Sequence, residues 1–136
     1  MNWETPNVSR ETYDRVASML EPFFTTAGFS MKPEPARWSG GTRHIGLVPA
    51  SVARDILTAW PALAEDRQNY SPTMAEMVGI AEPNGFVSGY LVAWDRDDRR
   101  VTFDTIHLAP EHRALLEALQ PDELQVLGEG LRAWWD

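Results

Sequence analysis

The stretch 85–108 constrains the fold more than any other part of the sequence. Two runs rich in β-branched and aromatic residues, 86–94 and 101–108, flank a fully charged link at 95–100. Runs of this composition joined by a short polar connection are typical of an antiparallel β-hairpin. The sequence therefore predicts that 86–94 pairs with 101–108, and that the other segments are arranged around this hairpin.

The charged link also predicts a register for the hairpin. If Asp97 and Asp98 form a two-residue turn, Ser88 lies opposite His107. Strand alternation then gives one strongly apolar face, which is the expected core face. Its members are Phe86, Tyr90, Val92, Trp94, Val101 and Phe103. A longer loop with a bulge is the alternative, and a slip by one residue would exchange the two faces.

Amphipathic helices account for most of the remaining chain. Apolar residues recur at helical spacing after Ser9, after Ser51 and after Ser71, and each of these serines can cap a helix. Leucine spacing predicts two more helices, at 111–119 and from Asp122 onward. Glycines weaken the last helix by about 1 kcal/mol each, a cost that close packing against a neighbour would justify.

The expected fold is therefore of the α+β class. A small antiparallel sheet contains the 86–94/101–108 hairpin and a short strand near 43–48, and it packs against about five helices. The chain of 136 residues is expected to form a single globular domain, 1–136.

Composition excludes several classes of function. The chain has no cysteine, so it has no disulfide, no thiolate metal site and no cysteine nucleophile. A net charge of −8 disfavours binding to nucleic acid or to an anionic membrane, because both need a basic surface. With neither a signal peptide nor a long apolar run in the sequence, a soluble cytoplasmic protein without a cofactor is expected.

Histidines and one aspartate are the candidates for a metal site. His44, His107 and His112 together with Asp104 would supply a two-histidine, one-carboxylate set if the fold brought them together. Their spacing matches no fixed ligand motif, and ordinary hydrogen bonding is the alternative. A small metal-dependent enzyme or ligand-binding protein would use this His/Asp cluster.

The two strands of the predicted hairpin carry the candidates for nucleophilic catalysis. Ser88 faces His107 in the predicted register, and Asp104 is nearby in sequence. Opposed cross-strand side chains come within reach of each other, as a catalytic triad requires. The local sequence Phe-Val-Ser-Gly-Tyr has no nucleophile elbow, however, which counts against a hydrolase.

Aromatic residues are the candidates for binding a partner. Trp3, Trp38 and Tyr70 lie in segments without clear periodicity, and Trp135 lies near the end of the chain. Tryptophan and tyrosine are common at protein interfaces, although they can also cover a core. The favoured function is a non-enzymatic protein-binding module of the bacterial cytosolic kind, for example immunity-like or inhibitor-like, with a homodimer as one form of assembly.

Overall fold

The strands found in the described residues form one six-stranded antiparallel sheet in the order β1-β2-β3-β4-β6-β5. The structure is a computed structural model that describes residues 8–25, 38, 41–68, 70–127 and 130–135. The strands are β1 (Phe24–Thr25), β2 (Thr42–Pro49), β3 (Phe86–Val92), β4 (Val101–Leu108), β5 (Glu123–Leu127) and β6 (Gly130–Trp134).

Four α-helices are found within the described ranges. They are α1 (Arg10–Leu20), α2 (Ala50–Ala59), α3 (Met74–Ala81) and α4 (Arg113–Ala118). Short 3-10 helices lie at Glu21–Phe23, Pro61–Glu65 and Pro110–His112, each with a proline in its first turn. The expected balance of a small sheet with about five helices is therefore wrong, because the sheet is twice as wide as predicted.

Side-chain caps determine where α1 and α3 begin. The Ser9 hydroxyl accepts a hydrogen bond from the Thr12 amide at 3.1 Å, which confirms the predicted cap. At α3, Thr73 and Glu76 form a reciprocal capping box with distances of 3.2 and 3.0 Å. Because Thr73 provides this cap, α3 starts two residues beyond the predicted Ser71-Pro72 start.

The C-terminal segment is a β-hairpin and not the predicted final helix. β5 and β6 pair with Leu124 opposite Ala133 and with Val126 opposite Leu131. The sequence between them holds Gly128, which would be unfavourable in a helix interior and is typical of turns. A period-two pattern of Leu131, Ala133 and Trp135 places these side chains in the core.

The β3–β4 hairpin exists, but the predicted register is wrong. Leu91 lies opposite Val101, so the chain needs all of 93–100 to turn and not only Asp97 and Asp98. The predicted register has Trp94 opposite Val101, so the two pairings differ by three residues. Because three is an odd number, the β3 side chains next to the loop lie on the opposite face from the predicted one.

A β-bulge interrupts β4 farther from the loop. Gly89 lies opposite Phe103, whereas the next residue on β3, Ser88, lies opposite Thr105. One step on β3 thus corresponds to two steps on β4, and Asp104 is the extra residue. Its carbonyl oxygen accepts a hydrogen bond from the backbone amide of Trp135 at 2.9 Å.

The bulge decides which hairpin side chains enter the core. On β3 the core residues are Val87 and Leu91, while Phe86 is exposed, which corrects the predicted core face. On β4 the core residues lie on both sides of the bulge: Val101, Phe103, Ile106 and Leu108. We call this side of the sheet the inner face. The opposite side, the outer face, carries Ser88, Tyr90, Thr102, Thr105, His107 and Arg132 by strand alternation.

A second bulge lies on the other side of β3. The two steps from Gly89 to Val87 correspond to three steps on β2, from Ile45 to Val48. Within this bulge Leu47 has a φ of 49°, a left-handed conformation that is uncommon for leucine. Two bulges therefore flank the middle of β3.

Candidate functional site

Ser88 and His107 form a close polar pair on the outer face. Ser88 lies opposite Thr105 and His107 opposite Phe86, so the two are diagonal neighbours on adjacent strands. The distance between Ser88 Oγ and His107 Nε2 is 2.8 Å. The predicted proximity of these two candidates is thus found, although through a different register.

Ser88 Oγ has two hydrogen-bond partners. The Leu47 amide in the β2 bulge donates to Ser88 Oγ at 3.0 Å. The second partner is His107 Nε2, and the hydroxyl donates or accepts there according to which ring nitrogen carries the proton. Burial, and secondarily the charge of Arg132, lower the pKa of His107 to about 4. The imidazole is therefore neutral at pH 7.

Asp104 does not complete a triad with this pair. Thr105 Oγ1 donates to Asp104 Oδ1 at 2.8 Å, and Trp134 provides a further hydrogen bond. Among the described residues no hydrogen bond joins Asp104 to His107. Burial raises the pKa of the Asp104 carboxyl to about 6.

Access also separates the Ser88–His107 pair from a catalytic site. Ser88 is 0% exposed, and its Oγ is hydrogen-bonded to both the Leu47 amide and His107 Nε2. A nucleophile has to contact its substrate, which a buried Ser88 does not allow. The pair instead joins the bulged segment of β2 to β4. The positions of Ser88, His107 and Asp104 therefore give no support to their predicted catalytic role.

Removing this link should destabilise the protein. In Ser88→Ala, the Leu47 amide and His107 Nε2 both lose their partner, which costs about 2 kcal/mol in the free energy of unfolding. Ser51→Ala, at an exposed position of α2, is the matched control and should change stability by less than about 0.5 kcal/mol. Urea denaturation at pH 7 measures both. A Ser88→Ala variant as stable as the control would contradict the structural role.

The metal candidates are spread over the fold. His44 on β2 lies opposite Tyr90, whereas His107 on β4 lies opposite Phe86 at the other end of β3, about 13 Å along the strand. His112 belongs to a 3-10 helix and is 3.6 Å from Glu111. Within the described ranges, no group of three or more His, Asp or Glu side chains is placed to hold a metal ion.

The aromatic candidates have three different outcomes. Trp3 lies outside the described residues. Trp135 is 2% exposed and its indole Nε1 donates to the Leu119 carbonyl at 3.3 Å, so it is a core side chain. Trp38 and Tyr70 lie at the surface, where they are 42% and 95% exposed.

Trp38 borders a cleft at one corner of the fold. This Trp38–Trp94 cleft has a volume of about 450 Å³ and is lined by Arg10, Trp38, Gly41, Ala93, Trp94 and Asp95. Volumes of this size are typical of ligand and peptide sites. The cleft lies where α1, the start of β2 and the β3–β4 loop meet.

Arginines hold both tryptophans of the cleft. The Arg43 guanidinium lies 4.3 Å from the Trp38 ring centroid and 4.9 Å from that of Phe24. Arg10 and Arg99 lie 5.1 and 4.6 Å from the Trp94 ring centroid. Cation–π contacts of this kind contribute about 0.5–1 kcal/mol each at exposed positions.

Tyr13 attaches α1 to this corner of the sheet. Its hydroxyl donates to the Val92 carbonyl at 2.7 Å, and its ring meets Trp94 edge-on at 5.4 Å. Burial raises the pKa of Tyr13 to about 12, so the hydroxyl remains a donor over the whole neutral range. The wall of the cleft that Trp94 forms is therefore well supported.

A smaller pocket of about 280 Å³ lies near the same end of the sheet. It is lined by Thr42, His44, Tyr90, Val92, Arg96, Asp98 and Arg100. Burial alone would raise the pKa of Asp98, but hydrogen bonds from Arg100 and Arg96 outweigh it and lower the pKa. The Asp98 carboxylate is 2.8 Å from Arg96 and 3.0 Å from Arg100, so this pocket already holds its own anion.

Sequence reasoning found one residue of the cleft and missed the others. Trp94 was assigned to the core face of the hairpin, and Arg10 had no assigned role. No sequence pattern distinguishes these arginines from ordinary surface charges, because their contacts with the rings depend on the tertiary structure.

Comparison with known proteins gives no match, whether against protein-family models, curated proteins or solved structures. No helix in the described part of the chain has the length and apolar character needed to cross a bilayer.

Proposed function

We propose that this chain is a non-enzymatic protein-binding module, and that the Trp38–Trp94 cleft is the centre of its contact surface. The observation that carries the proposal is the state of Trp38. Its ring is 42% exposed to solvent, yet the Arg43 guanidinium holds it from below. A preorganised, exposed tryptophan binds a partner at a low entropic cost.

The composition of the cleft supports the same function. Tryptophan, tyrosine and arginine are the residues most enriched at the energetic centres of protein interfaces. Here two tryptophans, one tyrosine and three arginines meet at one corner of the fold. An immunity-like or inhibitor-like role is one form of this proposal.

Charge indicates the chemistry of the partner segment. The cleft region carries the cations Arg10, Arg43 and Arg99 and the anions Asp14 and Asp95, a local excess of one positive charge on a chain of net charge −8. A partner segment with an acidic residue next to an aromatic or aliphatic one fits this surface best. Its carboxylate would pair with a guanidinium while its apolar side chain fills the cleft.

Selection of binding peptides tests the proposal without a known partner. A library of random peptides is selected against the wild type, and the selected peptides are expected to combine acidic and aromatic residues. Their affinity for Trp38→Ala should fall by about 30-fold, the loss typical of an interface hot spot. Tryptophan fluorescence and isothermal calorimetry measure the dissociation constants.

Leu115→Ala is the matched control for this experiment. Leu115 on α4 is as exposed as Trp38, at 46%, and is not among the residues that line the cleft. The control should keep the wild-type affinity, and thermal unfolding should show that both variants are folded. Selected peptides that bind Trp38→Ala as tightly as the wild type, or a selection without enrichment, would contradict the cleft as the binding surface.

A further inference from the structure

Within the described ranges, the edge strand β5 has no neighbouring strand on the side away from β6. It pairs with β6 alone there and ends the sheet. Glu123, Gln125 and Val126 are all exposed, and the Val126 side chain is 60% exposed. Proteins usually protect such an edge with charged side chains, proline, a bulge or a very short strand. The five-residue strand Glu-Leu-Gln-Val-Leu has one charge, at its first residue, and no lysine or proline.

We infer that two copies of the chain pair antiparallel through β5 and form a two-fold symmetric dimer with one continuous sheet. A two-fold axis perpendicular to the sheet gives antiparallel pairing of the same edge, which is the commonest symmetry of homo-oligomers. The dimer uses the opposite end of the sheet from the Trp38–Trp94 cleft, so it does not depend on the proposed function.

The side-chain pattern of β5 matches itself when the axis passes through Gln125. Leu124 of one copy then lies opposite Val126 of the other. Both side chains are on the inner face, because they are paired with Ala133 and Leu131 of β6 in the core. Leu124 already packs against the core, so the dimer would extend that apolar layer over the exposed Val126.

The charges of β5 also permit this register. The two Glu123 residues would lie four strand positions apart, a separation of about 13 Å, which exceeds the screening length of about 10 Å at 0.1 M salt. Each Glu123 carboxylate is also 3.6 Å from Arg132 of its own chain. The net charge of −8 on each copy opposes association, so raising the salt concentration should strengthen the dimer.

A single introduced cysteine tests this register directly, since the chain has no cysteine of its own. Gln125 lies on the two-fold axis, so it is opposite Gln125 of the other copy. The two Cα atoms would be about 5 Å apart, a distance that suits a disulfide. Gln125→Cys should therefore form a covalent dimer rapidly under mild oxidation, as seen by non-reducing electrophoresis. Glu123→Cys, about 13 Å from its counterpart, and Leu115→Cys on α4 should form it at least tenfold more slowly.

Sedimentation equilibrium provides the second test. The wild type should show a dimer that dissociates on dilution and strengthens with salt. Val126→Lys, which places a charge where the other copy's Leu124 packs, should be monomeric with an unchanged circular dichroism spectrum. A wild type that is monomeric at every concentration would overturn the inference, as would equal crosslinking of Gln125→Cys and Leu115→Cys. If Val126→Lys unfolds, the crosslinking result alone decides.

Discussion

Gly89→Ala should destabilise the protein by about 4 kcal/mol or more, a large share of the roughly 5–15 kcal/mol that stabilises a typical domain. A Cβ atom at position 89 would lie 1.8 Å from the Thr102 carbonyl oxygen and 2.9 Å from Phe103 Cα. Both neighbours are backbone atoms of β4 next to the bulge at Asp104. They can move away only if the β3–β4 pairing is broken, so no side-chain rotation relieves the clash.

Gly79→Ala is the matched control for this substitution. Gly79 lies within α3, and a Cβ atom there would meet no atom within 4 Å. Alanine is favoured over glycine in a helix interior, so this variant should gain about 0.5–1 kcal/mol. Urea denaturation followed by circular dichroism compares the two. If the free energy of unfolding of Gly89→Ala is within about 1 kcal/mol of the wild-type value, the close approach at the bulge is not as described.

Asp104→Asn should change the pH dependence of stability by about 3 kcal/mol. Burial raises the pKa of the Asp104 carboxyl from its ordinary value of 3.8 to about 6. The native state therefore holds this proton more tightly than the unfolded chain, and the wild type loses stability as the pH rises from about 4 to above 6. Asparagine does not ionise, so the variant avoids this loss, which is about 1.4 kcal/mol per pH unit of pKa difference.

The measured quantity is the free energy of unfolding of Asp104→Asn minus that of the wild type. This difference should increase by about 3 kcal/mol between about pH 3 and pH 8. His107 acts in the opposite direction, since its lowered pKa makes stability fall as the pH drops from 6.5 to about 4. Its contribution is largely shared by both proteins and cancels in the difference.

Asp55→Asn removes the same charge from an exposed position of α2 and serves as the control. Its stability difference from the wild type should stay within about 0.5 kcal/mol over the same pH range. A flat profile for Asp104→Asn as well would show that the carboxyl at the bulge is not buried.

The sequence predicted those elements whose local signals agree. Ser9 begins α1 as expected, and the runs on either side of 95–100 form neighbouring strands. The C-terminal hairpin was mistaken for a helix because its leucines satisfy helical spacing while Leu131, Ala133 and Trp135 satisfy strand spacing. Gly128 between the two strands and Gly130 at the start of β6 were the deciding signal, and they were weighed only as a helix penalty.

The bulges could not be predicted from local pattern. Asp104 resembles any polar strand residue, and only the tertiary structure shows that it is the extra one. Ser88 and His107 were paired from a wrong register, yet the two side chains still meet. Beyond the bulge the observed pairing differs from the predicted one by two residues, an even number, so both side chains remain on the same face. The cleft combines Arg10, Trp38 and Trp94 from three distant segments, so no sequence period marks it.

The two borders of the sheet differ in how far they permit growth. In the described part of the chain β1 has two residues, Phe24 and Thr25, against the five of β5. A strand of two residues presents few backbone groups to a further chain, so of these two edge strands β5 is the stronger template. In the inferred dimer both β5 edges are paired with each other, and the short β1 strands would lie at the two outer ends of the joined sheet. Such an arrangement would favour a closed pair over a growing fibre.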